Sequence, residues 1–72
     1  MVNNKTVGEA IRQYRVIKHL SQTSFGDIVN LPKQTISKIE KGKRPLKVTE
    51  LVEIVSKTND IFLFKFVLTG GL

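Results

Sequence analysis

Lys33, Gln34 and Lys38 fall on one face of any helix drawn through residues 33–41, with Ile36 and Ile39 on the other. The polar face carries groups that can read a base edge. A glutamine amide can pair with N6 and N7 of adenine, and a lysine ammonium can donate to O6 and N7 of guanine. Lys41, Lys43 and Arg44 follow past the end of that helix, where cations suit a phosphate backbone better than bases. The hydroxyls of Thr23 and Thr35 offer further, neutral bonds to phosphate.

The placement of charge says more than its amount. The 72 residues hold 12 Lys and Arg against 6 Asp and Glu, a net charge of +6. Half of the basic residues (Lys33, Lys38, Lys41, Lys43, Arg44, Lys47) lie within fifteen positions, and Glu40 is the only acid among them. Such a cluster attracts polyanions and speeds their encounter. A lysine-rich solvated surface is the plain alternative for a basic cluster taken alone.

Those side chains need elements to hold them. Thr6-Val7-Gly8-Glu9 has the form of a capping box. Val7, Ala10, Ile11, Tyr14 and Ile17 recur behind it at helical spacing, so a first helix is expected from about 6 to 18 with His19 as its exit residue. Ser21 is a good N-cap for a second helix running to about Val29, with Phe25, Ile28 and Val29 facing inward. Gly26 inside it costs about 1 kcal/mol against Ala, which close approach of the next helix would offset. Asn30 suits a left-handed turn, and Pro32 suits the first position of a third helix ending near Lys41 at the capping Gly42. A fourth helix is expected over 47–57 with Val48, Leu51, Val52 and Val55 buried. Helix, tight turn and basic helix across 21–41 are in the order of a helix-turn-helix, whose second helix is presented to the major groove.

Ile61-Phe62-Leu63-Phe64-Lys65-Phe66-Val67-Leu68 is too apolar for a solvated helix end. A fifth helix starting at Asn59 or Asp60 would bury it against the bundle. A β-strand would align Phe62, Phe64 and Phe66 on one face, and this period of two favours the strand. A strand needs a mate, most simply its copy in a second subunit, so the segment 59–69 is expected to serve the core or dimerisation through those phenylalanines.

The chain resembles the Cro/CI-type (XRE-like) helix-turn-helix regulators of bacteria and phages over about residues 7–58. The resemblance is carried by Ile11-Arg12 and Arg15, by Leu20-Ser21-Gln22, and by the run Thr35-Ile36-Ser37-Lys38-Ile39-Glu40-Lys41-Gly42-Lys43-Arg44. It implies that Lys33, Gln34, Ser37 and Lys38 read bases, and that Gln22 contacts a phosphate and braces the reading end. It also implies a structural ion pair of Arg15 with Glu40. Pro32 departs from the Ser or Thr N-cap usual in the family, which removes a phosphate-binding hydroxyl there. An apolar strand after the fourth helix would look like the HipB-like antitoxins, which pair such strands across a dimer.

The expected class is therefore mainly α, a four- to five-helix bundle forming one domain over 1–72, with the C-terminal strand as a possible dimer element. The expected function is a sequence-specific double-stranded-DNA regulator, a homodimeric repressor of its own operon acting on a palindromic operator. The alternative is an antitoxin that holds a toxin protein and autoregulates. Nonspecific or RNA binding is a third reading, which Gln34 argues against because such binders need little beyond phosphate contacts. The phenylalanines could instead form a stacking platform for single-stranded bases, although core or dimer contact suits them better.

No nucleophile–base–orienter set or phosphate loop is present, and His19 has no companion at ligand spacing, so no catalysis, metal or cofactor is expected. The chain has no cysteine and no apolar run of the ~18 residues a membrane span needs, and its start is not a signal peptide. A soluble cytoplasmic protein without membrane association follows. A chain this short buries only about 60% of its unfolded surface, so compact packing or a partner matters.

Overall fold

The computed structural model describes residues 3–61 together with Leu63 and Lys65. Four helices follow one another: α1 (Asn4–Ile17), α2 (Gln22–Val29), α3 (Lys33–Glu40) and α4 (Val48–Thr58). Helix α3 packs on both α1 and α2, and α4 packs on α2.

Helix α1 begins two residues earlier than the Thr6 box predicts. Asn3 is the N-cap: its side chain accepts from the Thr6 amide at 2.9 Å, and the Thr6 hydroxyl accepts from the Asn3 amide at 2.8 Å. Asparagine is among the strongest N-caps, so it wins over Thr6 and adds residues to the helix. Glu9 therefore makes no capping bond and instead meets Arg12 at 3.4 Å, an exposed pair of little energetic weight.

The exits form as the residue types predict. His19, Asn30 and Gly42 all take positive φ. After α1 the Leu20 amide donates to the Arg15 carbonyl and the His19 amide to that of Val16. After α3 the Lys43 amide donates to Lys38 and the Gly42 amide to Ile39, the double closure that satisfies otherwise orphan carbonyls. Pro32 sits one place earlier than expected: it is the N-cap of α3, its carbonyl accepting from Thr35 and Ile36, and no side chain caps the helix. A Cβ on Gly26 would strike the carbonyl oxygen of Leu31, so its bareness is needed by the turn itself more than by the following helix.

Ala10, Ile11, Phe25, Val29, Ile36, Ile39, Leu51, Ile54 and Leu63 form one buried cluster. Tyr14 packs edge-on against Phe25 with ring centroids 6.3 Å apart. Several positions expected inside are not. Ile17, Ile28, Val48 and Val52 are exposed, whereas Ile54 is buried. Ile17 lies in the last turn of α1, where no later helix covers it, and α4 is rotated so that Leu51 and Ile54 share the inward stripe.

The tail follows the helical alternative as far as it is described. Of the two residues offered as the start of a fifth helix, Asn59 is instead the left-handed C-cap of α4, and helical backbone follows Asp60. Ile61, Leu63 and Lys65 have helical backbone, and the Leu63 amide donates to the Asp60 carbonyl at 3.2 Å. No strand occurs among the described residues. The phenylalanine spacing was outweighed by Leu63, which is 1% exposed within the chain's own core and so anchors the segment locally. Phe62, Phe64 and Phe66, expected to form a dimer contact, lie outside the described residues. Asp60 is no solvated surface acid: it accepts from the Tyr14 hydroxyl at 3.2 Å and meets Lys18 at 3.7 Å. Burial pushes the Tyr14 hydroxyl above its ordinary pKa.

Candidate nucleic-acid interface

Glu40 is where α1, α2 and α3 are tied together. It ends α3 and is only 8% exposed, yet charged, so it must be paired. Arg15 of α1 supplies a bidentate fork, Nε to Oε2 at 2.7 Å and Nη2 to Oε1 at 3.1 Å. The remaining Arg15 nitrogen, Nη1, donates to the Leu20 carbonyl at 2.9 Å, which fixes the entrance to α2. Gln22, the first residue of α2, donates from Nε2 to Glu40 Oε1 at 3.1 Å. Hydrogen bonding to Glu40 raises the Arg15 pKa above its ordinary value. The geometry has the ion pair implied by the resemblance. Gln22, however, braces the C-terminal end of α3 rather than its reading end.

The first turn of α1 lies against that same end. A Cβ on Gly8 would collide with the Ile39 carbonyl oxygen and come within 2.9 Å of that of Glu40. Gly8, like Gly26, is bare because another part of the backbone comes close to it. Its signal was available: a bare residue among Val7, Ala10 and Ile11 on a helix's apolar stripe.

A shallow groove of about 440 Å³ opens over α3, lined by Gln22, Lys33, Gln34, Ser37, Lys38, Lys41 and Lys43. All four residues assigned to base reading and three of those assigned to phosphate are thus brought together. Lys33, Gln34 and Lys38 are exposed, and Ser37 is half-buried between them. Among the described residues, no carboxylate pairs with the lysines of this groove.

Thr23, Thr35 and Arg44 are not in the lining. Thr23 is exposed on α2, and Thr35 is half-buried on α3. Arg44 has another partner: Nη1 and Nη2 meet the two oxygens of Glu50 at 2.9 and 2.7 Å, and Nη1 also meets the Pro45 carbonyl at 3.0 Å. Glu50 in turn accepts from the Lys47 amide at 2.9 Å, capping α4. The guanidinium therefore fastens the α3–α4 connection.

The Arg44 guanidinium beside it is the chief reason the Glu50 carboxyl is held below the usual carboxylate range. A depressed folded-state value contributes stability that is complete above the unfolded value, ~4.3 for Glu. That stability is lost as pH falls through the folded value. Unfolding measured from neutral to acid pH is expected to show a loss of stability below that range. In Glu50→Gln this component of the slope should disappear; an unchanged slope would show that the fork contributes no pH-dependent stability.

Two short helices joined by a left-handed turn, the second bearing an exposed row of amide and ammonium groups, define a helix-turn-helix protein. Comparison with known proteins agrees. The helix-turn-helix family model matches residues 11–59, and the chain belongs to this family, in its XRE-type form. Among solved structures, the crystal structure of the clp gene regulator ClgR from C. glutamicum is similar, with a TM-score of 0.77 at 13% identity. The match covers 96% of this chain and 91% of that one, and at such low identity it speaks to the fold alone. No curated protein matches the chain. Among the described residues no helix is long and apolar enough to cross a membrane.

Proposed function

We propose that this chain is a sequence-specific double-stranded-DNA-binding transcriptional regulator, working as a homodimeric repressor of its own operon on a palindromic operator. The groove over α3 carries this reading. It gathers Lys33, Gln34, Ser37 and Lys38, which can address base edges, with Gln22, Lys41 and Lys43, which can hold phosphates on either side. The family supports the DNA-binding part, and the ClgR structure is of a gene regulator. Gln22 uses one amide hydrogen bond on Glu40 and keeps its carbonyl and second N–H for other partners. The phosphate role of Arg44 is weaker than that of Lys43, because its guanidinium is engaged by Glu50. The antitoxin alternative drew on a C-terminal strand, and the helical backbone of Ile61, Leu63 and Lys65 gives it no support.

The test is footprinting and titration on the protein's own promoter region beside a random duplex. Protected half-sites one DNA turn apart, ~34 Å, are expected of a dimer. A dimer neutralising three or four phosphates per subunit should give a log–log salt slope of roughly −5 to −7. Gln34→Ala is expected to cost about 1–3 kcal/mol on the protected site and little on random DNA, while Lys43→Ala weakens both alike. Equal losses on both duplexes for Gln34→Ala would remove base reading from α3, and a slope near zero would remove DNA as the ligand.

A further inference from the structure

We propose that Lys5 is a further phosphate-contacting residue, so that the DNA surface is composite: helix-turn-helix plus the first turn of α1. The inference rests on the DNA-binding reading above.

Lys5 reaches the basic cluster from the opposite end of the sequence. A Cβ on Gly42 would lie 2.9 Å from Lys5 Cα and 3.3 Å from Lys5 Cβ, and Gly42 has φ +73°. The glycine thus does more than end α3. Its bare backbone lets α1 settle between Lys41 and Lys43. Continuity of the surface is visible at Lys41, which lines both the groove over α3 and a second cleft of about 460 Å³ shared with Lys5, Thr6, Glu9 and Glu40.

Among the described residues, Lys5 shares the lack of a carboxylate ion-pair partner with the cations of the reading face, and with Lys47 outside it. Arg12, Arg15, Lys18 and Arg44 each have a carboxylate partner. Among the described residues Lys5 has none, like Lys33, Lys38, Lys41 and Lys43. The two acids of the second cleft are already engaged, Glu9 by Arg12 and Glu40 by Arg15 and Gln22. A lysine left unpaired beside like charges raises the local positive potential, and a phosphodiester is the anion that a DNA-binding face supplies to relieve it.

Lys5→Ala removes one exposed cation, and the Asn3–Thr6 cap needs no Lys5 side chain. The probe is a random-sequence duplex titrated at several salt concentrations. Loss of one phosphate contact per subunit should make the log–log salt slope shallower by roughly 0.9 for each bound subunit, about 1.8 for a dimer, with the unfolding midpoint unchanged. Lys57→Ala is the charge-matched comparison, since Lys57 lines a different cleft with Tyr14 and Asp60, and it should leave the slope in place. Lys5→Arg should restore it. A Lys5→Ala slope equal to that of the unaltered chain, while Lys43→Ala is shallower, would overturn the inference and leave the DNA-binding reading standing. An equal change in Lys57→Ala would overturn it as well, reducing the effect to net charge. No duplex binding by the unaltered chain would overturn both readings together.

Discussion

Replacing Arg15 with alanine is expected to cost about 3–5 kcal/mol of stability, because removing one partner of a buried ion pair strands the other charge. Glu40, only 8% exposed, would keep Gln22 as its remaining side-chain donor among the described residues. A chain of this size has a total stability of about 4–11 kcal/mol, so the variant is expected to lose between roughly a quarter and all of it. Urea unfolding of the purified protein reads the effect directly. The double replacement Arg15→Met with Glu40→Met is the informative partner experiment, since exchanging a whole buried pair for apolar side chains is often close to neutral. Recovery in the double variant would assign the loss to the stranded carboxylate. An unchanged midpoint in Arg15→Ala would show that water reaches Glu40 freely, contrary to its burial.

The second large effect runs against helix propensity. Alanine for glycine inside a helix ordinarily gains about 1 kcal/mol. At Gly8 the added methyl meets the Ile39 and Glu40 carbonyl oxygens, backbone atoms that cannot swing aside. Overpacking of this kind costs typically about 1–3 kcal/mol, and at contacts this close the upper part of that range less the propensity gain leaves a net loss of roughly 1–2 kcal/mol for Gly8→Ala, and more for Gly8→Val. At about 4–8 °C per kcal/mol, thermal unfolding should fall by ten degrees or so in the alanine variant. A rise in Tm would mean that α1 stands further from the end of α3 than described.

What the sequence made legible is what local chemistry decides. Ser21, His19, Asn30 and Gly42 each cap or turn where their types predict, because these preferences act within a few residues. The Arg15–Glu40 pair came from the family likeness and stands at bonding distance. Tertiary facts were harder to see. Whether Val52 or Ile54 faces inward depends on the rotation of α4 against α2, and both satisfy an apolar period. The tail is hard to read for the same reason: three phenylalanines at period two fit a strand in isolation, while Leu63 enters the core and has helical backbone with Ile61 and Lys65. The fork of Arg44 on Glu50 is hidden in the sequence because the two lie on either side of a proline turn, across which charges are hard to pair from spacing alone. The approach of Lys5 to Gly42 cannot be seen until the chain is folded, since the two lie at opposite ends of the first three helices.

Leu63 also sets a clock. Of the nine buried apolar side chains among the described residues, Leu51, Ile54 and Leu63 come after the basic helix α3 in chain order. A nascent chain that has released only the segment through Arg44 has α1, α2 and α3 in hand but lacks that third of its core. Domains fold as units during synthesis, so the reading surface is completed late, when the segment around Leu63 emerges from the ribosome. Until then the growing polypeptide carries its basic residues without the framework that aims them. Competence to bind duplex DNA is therefore expected to arrive in one step once that segment has been released, and fragments ending before residue 63 should be poor competitors for chains that include it.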